Sequence, residues 1–398
     1  MSDTQPLQQP AAPVRLGRRP ALDGLRGLAV LVVIGVHLGL IAGGYVGVDV
    51  FFALSGFLIT ALLYEEWDRT GTIALRQFYK RRVRRLLPAL LALLAGFAVV
   101  MLVLHPFAGL WPLGRLIAAT LLAANNWVTA LVPRHGQVLG ALMPTWTLSQ
   151  EVQFYLLWPF ALWWLLRWRV RPRAILAILA VAMLLLLGAG ALMSHAYPAY
   201  NSYTSPFDRG AELLLGCAAA ILWREGLVPA PLRWPVVGWI AAGALVYALS
   251  VAATPDRAWY LSAAVLGAVV IINMLGEARR AGDAGAPSRT ARAPQLLERL
   301  IGGPPLRYTG KISYGIYLYH LPIYYLLWTY VPGRSPYFYA PIVISASFGL
   351  AAASWHLIEA PIVHNKRQRR PGTPRGNKAG GWREWVRPVA AASPPVQR

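Results

Sequence analysis

The chain has 398 residues, of which 57% are hydrophobic and only 14% are charged. Soluble domains are usually about 45–50% apolar and about 25% charged, so this composition excludes an ordinary soluble protein and indicates a membrane protein. The net charge is +22, but the basic residues lie in clusters between long apolar runs, which is typical of membrane proteins rather than nucleic-acid-binding ones. The single cysteine, Cys217, excludes a disulfide framework and a cysteine-based metal site.

Three segments are expected along the chain. Residues 1–20 form a basic, Pro-rich tail without a clear cleavage site, so the tail is predicted to be disordered and the first apolar run to be a retained helix. Residues 21–365 form the membrane domain. Residues 366–398 are predicted to be a disordered basic tail, and the loop at 281–294, rich in Ala, Gly, Pro and Arg, is predicted to be flexible.

Apolar runs are the main structural signal, because a membrane-spanning helix needs about 20 apolar residues. Eleven runs can be recognised, at approximately 22–42, 47–64, 86–105, 113–132, 146–166, 174–193, 208–223, 234–252, 258–275, 312–330 and 338–358.

The distribution of basic residues decides which runs cross the membrane, because cytoplasmic loops carry an excess of Lys and Arg. If the run at 113–132 does not cross, 33 of the 38 basic residues lie on the cytoplasmic side; if all runs cross, 22 lie outside. That run also carries Arg115, Asn125 and Asn126. We therefore predict an all-α bundle of about ten transmembrane helices plus one re-entrant or surface helix, cytoplasmic chain ends, and a cavity near the two asparagines.

The first run contains Arg26 and His37. Eleven residues apart, they share nearly the same helix face but lie about 16 Å apart along the axis. Arg26 can be a snorkelling anchor or a functional intramembrane charge. His37 can be a hydrogen-bond partner between helices or a general base, because the ordinary His pKa of about 6.5 is near working pH.

The next two runs carry a carboxylate and a basic cluster. Asp49 enters the second run, which also holds Ser55, and it can serve either a site or the helix dipole. Arg81, Arg82 and Arg85 precede the third run. They can anchor the chain to anionic lipid, or they can hold a polyphosphate, because arginine forks match phosphate oxygens.

Further polar residues lie near the outer ends of later runs. Glu151 is followed by Tyr155, and Arg209 and Glu212 are spaced to pair with each other. Charges inside a membrane are costly, so a cluster at one depth would indicate a functional site. Such a cluster would form if five residues lay at one depth: Glu151, Arg209, Glu212, Asp49 and His37.

Together these motifs resemble acyltransferase family three of membrane O-acyltransferases. Residues 22–27 leading to His37 resemble its signature of an arginine and a histidine separated by ten residues, and residues 78–82 with Arg85 and Pro88 resemble its arginine motif. The other matching segments are 44–59, 146–159, 209–216, 312–320 and 355–361, so the resemblance covers roughly 20–365. One departure is that Glu151 is followed by Val152, where the family commonly has a second Glu. The chain looks like the stand-alone form without a C-terminal soluble domain.

The resemblance implies an enzyme that transfers an acyl group, most commonly acetyl, from cytoplasmic acyl-CoA. The implied acceptor is a hydroxyl of a sugar, surface glycan, glycolipid or macrolide-type metabolite. No permanently bound cofactor, metal or nucleic acid is implied; the partners are acyl-CoA, the acceptor and membrane lipid. The implied location is the cytoplasmic (inner) membrane of a bacterium.

The resemblance also implies residue roles. His37 would be the general base or an acylated nucleophile, with Glu151 or Asp49 orienting its imidazole. The acyl-CoA would be held by Arg26, Arg81, Arg82 and Arg85. Further residues of the possible site are Ser55, Tyr155, Arg209, Glu212 and His320.

Two other classes of protein fit the buried charges. A transporter or flippase of a glycolipid or small amphiphile would also carry them, although the two related halves common in transporters are not found. A receptor or scaffold that binds lipid through its basic loops would need neither His37 nor Glu151. The resemblance favours the enzyme.

Overall fold

The computed structural model describes residues 16–17, 19–104, 110–131, 140–251, 257–275 and 292–364. Over these residues the secondary structure is helical, without a strand, and the predicted all-α bundle is confirmed. The predicted tails at 1–20 and 366–398 lie outside the described residues, apart from 16, 17, 19 and 20. Most of the predicted flexible loop at 281–294 also lies outside them, and its last three residues begin a helix.

The helices are α1 (Pro20–His37), α2 (Val46–Thr70), α3 (Leu75–Leu104), α4 (Leu110–Leu121), α5 (Asn125–Leu131), α6 (Thr145–Arg167), α7 (Pro172–Ala196), α8 (Pro206–Arg224), α9 (Pro235–Val251), α10 (Arg257–Leu275), α11 (Arg292–Ile301), α12 (Pro304–Tyr330), α13 (Pro336–Ser354) and α14 (Ala360–His364). A π-helical turn, Trp355–Glu359, joins α13 to α14, and short 3₁₀ turns occur at Gly140–Leu142, Ser202–Thr204 and Ala230–Arg233.

Six of the described helical segments are long and apolar enough to cross a membrane by length and composition. They are α1, α2, α3, α7, α10 and the segment Pro336–Val363, and α9 is a shorter apolar helix. Three helices that carry candidate site residues fall outside this set. They are α6 with Glu151, α8 with Arg209 and α12 with His320. The chain is therefore a membrane protein, whereas the count of ten crossings and the cytoplasmic chain ends stay predictions.

The run predicted not to cross is broken into two helices. A turn in which Ala123 has a φ of +52° separates α4 from α5, and neither helix alone is long enough to span the bilayer. Asn125 and Asn126 are fully buried. The Asn125 amide donates to Thr145 Oγ1 at 2.6 Å, and the Asn126 amide donates to Gln150 Oε1 at 2.9 Å. Their amides therefore bond to α6, and the cavity expected near these asparagines stays a prediction.

Close packing through glycines sets the two helix pairs that carry candidate site residues. On α12, a Cβ added to Gly310 would lie 1.7 Å from the Asp23 carbonyl oxygen of α1. On α8, a Cβ added to Gly216 would lie 2.1 Å from the Ala53 carbonyl oxygen of α2. Only glycine allows backbones to approach this closely, so α1 and α12, like α2 and α8, are held as tight pairs.

Candidate active site

Two histidines from the tight pair α1 and α12 meet at one end of the bundle. His37 is the last residue of α1, and its Nδ1 lies 3.1 Å from Nε2 of His320. His320 Nδ1 lies 2.7 Å from the Tyr317 carbonyl oxygen. His320 is only 1% exposed, whereas His37 is partly accessible. The pair therefore joins one enclosed imidazole to one that a substrate can reach.

The accessible histidine opens into a cavity of about 540 Å³. Seven of the twelve residues that line it are Tyr or Trp, including Trp146, Tyr203 and Trp328. Sites for small molecules commonly have about 300–1,000 Å³ and largely apolar or aromatic walls, with a few polar groups that fix orientation. The cavity with His37 in its wall has the dimensions and chemistry of a ligand site.

A second cluster surrounds Glu151, deeper in the bundle. Ser55 Oγ donates a hydrogen bond to Glu151 Oε1 at 2.6 Å, and the Tyr155 hydroxyl donates to Oε2 at 3.2 Å. The guanidinium of Arg82 lies 5.2 Å from the centre of the Tyr155 ring. These contacts link Glu151 on α6 to the arginine-rich start of α3.

The arginines of this region form the far side of the second cluster. Arg85 interacts electrostatically with Arg26, Arg82 and Glu151, so three of the four predicted acyl-CoA residues come together. The fourth, Arg81, is largely exposed and pairs with Glu66 at 3.1 Å. Three guanidinium groups within electrostatic reach of one carboxylate leave an excess of positive charge, which suits a polyanionic ligand.

The arginines and the histidine cavity lie toward opposite ends of the same helices. On α1, Arg26 and His37 are about 16 Å apart along the axis. On α2, Val48 lines the cavity, and Glu66, which pairs with Arg81, lies eighteen residues later, about 27 Å along the helix. The Glu151 cluster contacts α2 between these two points, at Ser55.

A third cluster is an ion triad inside the tight pair α2 and α8. Arg209 lies 2.5 Å from Asp49 Oδ1 and 2.8 Å from Glu212 Oε1. Arg209 and Glu212 are fully buried, and Asp49 is 2% exposed. Four aromatic rings, each with its centre 4.6–5.7 Å from the guanidinium carbon, enclose Arg209: Phe52, Trp146, Tyr203 and Tyr260. Two of these rings, Trp146 and Tyr203, also line the cavity, so the triad supports the cavity wall.

The structure gives the two carboxylates hydrogen-bond partners other than the imidazole. Neither serves as the partner of the imidazole, because Asp49 bonds to Arg209, Glu151 bonds to Ser55 and Tyr155, and His37 bonds to His320. The five residues considered as a possible cluster are divided among three groups of contacts. Sequence spacing indicates which face of a helix carries a residue, but it does not reveal which helix lies opposite.

A comparison of the sequence with known families gives a match over residues 19–356 to the family described as "Acyltransferase domain". The chain belongs to acyltransferase family three. The resemblance stated from the motifs is thereby confirmed, and family membership favours an enzyme over a transporter or a scaffold.

Two similar curated proteins carry informative names. The "Peptidoglycan O-acetyltransferase OatA" of Listeria monocytogenes is 32% identical over 360 residues, which cover 87% of this chain and 56% of that protein. The "O-acetyltransferase OatA" of Staphylococcus aureus is 31% identical over 356 residues, covering 86% of this chain and 57% of that protein. The chain thus spans little more than half the length of these relatives. No solved structure gives a significant match.

For this member of acyltransferase family three, motif reasoning missed most of the cavity wall. Tyr317, Tyr324 and Trp328 all line the cavity from α12. They are spaced by seven and four residues, which places them on one face of the helix, so their spacing was an available signal. The same spacing is ambiguous, because Tyr and Trp are also common where helices meet the membrane surface.

Proposed function

We propose that this chain is a membrane O-acyltransferase that moves an acyl group, most commonly acetyl, from cytoplasmic acyl-CoA to a sugar hydroxyl of a bacterial glycan. The observation that carries the proposal is the separation of an arginine cluster from a histidine-lined cavity along the shared helices α1 and α2. A donor with a phosphate-bearing head and a long flexible arm fits this separation. The names of the two relatives support acetyl as the group and a cell-wall glycan as the acceptor.

The donor end is Arg26, Arg82 and Arg85. Arginine binds phosphate through paired N–H donors, and each such bond to a charged group contributes about 1.5–3 kcal/mol. With the phosphates of CoA held there, the pantetheine arm extends along the bundle toward His37. The side chains of Ser55, Glu151 and Tyr155 lie along this route.

At the cavity, His37 acts on the acceptor hydroxyl. As general base it takes the hydroxyl proton while the sugar oxygen attacks the thioester carbonyl carbon. A new carbon–oxygen ester bond forms and the carbon–sulfur bond breaks, and the proton passes from His37 to the departing CoA sulfur. In the alternative order, His37 attacks the thioester first and carries the acyl group to the hydroxyl.

The acceptor end is the aromatic cavity. Sugar rings have apolar faces that pack on aromatic rings, and their hydroxyls remain free to bond with Tyr hydroxyls and with His37. The positive-inside distribution of Lys and Arg puts the arginines on the cytoplasmic side and the cavity on the outer side. We place the chain in the cytoplasmic membrane of a bacterium, with both chain ends in the cytoplasm.

The proposal is tested with purified full-length protein in nanodiscs, acetyl-CoA labelled in the acetyl group, and a cell-wall oligosaccharide. The expected result is CoA release together with label on the oligosaccharide. Absence of both acetyl-CoA binding and turnover, also with longer acyl-CoAs, would contradict the assigned donor.

Arg82→Ala is expected to raise the KM for acetyl-CoA about tenfold or more, because one charged hydrogen bond to phosphate contributes about 1.5–3 kcal/mol. The control is Arg76→Ala, which removes the same charge from an exposed position on α3, six residues earlier. KM is measured from initial rates of CoA release. An equal rise in both variants would indicate a general effect of surface charge instead of a phosphate contact.

Tyr325→Leu is expected to raise the KM for the oligosaccharide while leaving that for acetyl-CoA unchanged. Tyr325 lines the cavity from α12. Tyr330→Leu is the matched control, because Tyr330 ends the same helix, is 51% exposed and does not line the cavity. Initial rates at varied oligosaccharide concentration give both constants. An unchanged acceptor KM in Tyr325→Leu would contradict the assignment of the cavity to the sugar.

A further inference from the structure

The hydrogen bonds of His37 and His320 fix where their protons lie, and those of His37 include one with the Val33 backbone besides the contact with His320. The Tyr317 carbonyl oxygen can only accept a hydrogen bond, so His320 Nδ1, 2.7 Å away, carries a proton. In a neutral His320, Nε2 then has a free lone pair. The partner at 3.1 Å is His37 Nδ1, which must therefore donate. A neutral His37 is left with its proton on Nδ1 and a basic lone pair on Nε2.

Two other placements of the protons would be unfavourable. If each ring carried a proton on both nitrogens, two N–H groups and two positive charges would face each other across 3.1 Å at an enclosed contact. If His37 carried its proton on Nε2, two lone pairs would face each other, and the buried His320 Nε2 would have no proton to bond. Buried polar atoms left without a partner cost free energy, so the chain from His37 through His320 to Tyr317 has one favourable direction.

We infer that His320 is a positioning residue that holds His37 as its Nδ1–H tautomer, so that Nε2 is the nitrogen that acts on the acceptor hydroxyl. The inference rests on the proposed role of His37. A free neutral histidine carries its proton mainly on Nε2, which would block that nitrogen as a base. His320 reverses this preference because its neutral ring accepts the hydrogen bond from His37 Nδ1. Other enzymes use a carboxylate for this purpose.

This arrangement also has a consequence for charge during the reaction. When His37 Nε2 takes the hydroxyl proton, its Nδ1–H bond to His320 becomes charge-assisted and strengthens. His320 in turn strengthens its bond to the Tyr317 carbonyl oxygen. The positive charge is thus spread along two hydrogen bonds without a second negative charge beside His37.

The tautomer is tested directly, without any substrate, by NMR of ¹⁵N-histidine-labelled protein in nanodiscs. The His37 signals are assigned by their loss in His37→Gln. The expected result for the unaltered chain is a protonated Nδ1 and an unprotonated Nε2 on His37. A proton on Nε2, alone or together with one on Nδ1, would overturn the inference.

Two variants of His320 separate positioning from folding. His320→Asn places an amide near the former Nδ1, where it can still bond the Tyr317 carbonyl oxygen but cannot reach His37. His320→Gln places an amide oxygen near the former Nε2, where it can accept from His37. The expected result is a His37 proton that moves mainly to Nε2 in His320→Asn and remains on Nδ1 in His320→Gln. An unmoved proton in folded His320→Asn would overturn the inference.

Turnover gives a second readout. His320→Asn is expected to lower kcat for acyl transfer at least about tenfold, because His37 with its proton on Nε2 has no lone pair there to act as the base. The KM for acetyl-CoA is expected to stay unchanged. His320→Gln is expected to restore part of kcat. Full kcat in His320→Asn would contradict the inference. If the unaltered chain shows no turnover with any acyl-CoA, the proposed function fails, but the NMR result still decides the tautomer.

Discussion

Replacing His37 by Ala is expected to lower acyl transfer by at least about 10²–10⁴-fold, the range that a general acid or base contributes. His37 is the histidine in the wall of the aromatic cavity, and it lies at the opposite end of α1 from Arg26. The arginines that hold the donor are unaffected by this change. Acetyl-CoA binding is therefore expected to persist, so that kcat falls while the dissociation constant of acetyl-CoA stays nearly the same.

The control for this experiment is His195→Ala. His195 is an exposed histidine near the C-terminal end of α7 and does not line the cavity. Rates of CoA release and of label transfer are measured for both variants, along with the melting temperature. Label that remains on the unaltered protein but not on His37→Ala would support an acyl-histidine intermediate over a general base. Full transfer by His37→Ala would contradict both mechanisms.

Much of the helical architecture could be predicted because lipid contact requires long apolar runs. The runs expected at 208–223 and 258–275 correspond closely to α8 and α10. The third run was expected to begin near residue 86, but α3 begins at Leu75, because the helix continues through a basic segment that hydropathy does not register. The same limitation explains why α11, a short charged helix, was not predicted from the apolar runs.

The charged residues of the candidate site could be picked out from the sequence, because intramembrane charges are rare and costly, whereas most of the aromatic cavity wall was missed. The pairing of the charged residues could not be predicted. The partners of His37 and Asp49 lie 283 and 160 residues away in the sequence, at His320 and Arg209. Which helices adjoin depends on close contacts such as that at Gly310, and a one-dimensional charge pattern carries no information about these contacts.

Arg209→Leu is expected to destabilise the fold by about 3–5 kcal/mol, the range for removing one partner of a buried ion pair. The substitution leaves the carboxylates of Asp49 and Glu212 buried without a cation. In the described part of the chain, the oxygens of Glu212 have no hydrogen-bond partner, so Arg209 is their main compensation. The aromatic rings that pack on Arg209 include two cavity residues, so acceptor binding should weaken along with stability.

The triple variant Arg209→Leu, Asp49→Val, Glu212→Leu distinguishes charge from packing. It removes every ionisable group of the triad at once, and replacing a whole buried ion network by apolar groups of similar volume is often nearly neutral for stability. Unfolding in nanodiscs is therefore expected to show a large loss in Arg209→Leu and substantial recovery in the triple variant. Arg81→Met is the matched control, because it breaks an exposed pair with Glu66, which typically contributes about 0–1 kcal/mol. Equal losses in Arg209→Leu and Arg81→Met would mean that the triad does not hold α2 and α8 together, and the position of the cavity wall would then need another explanation.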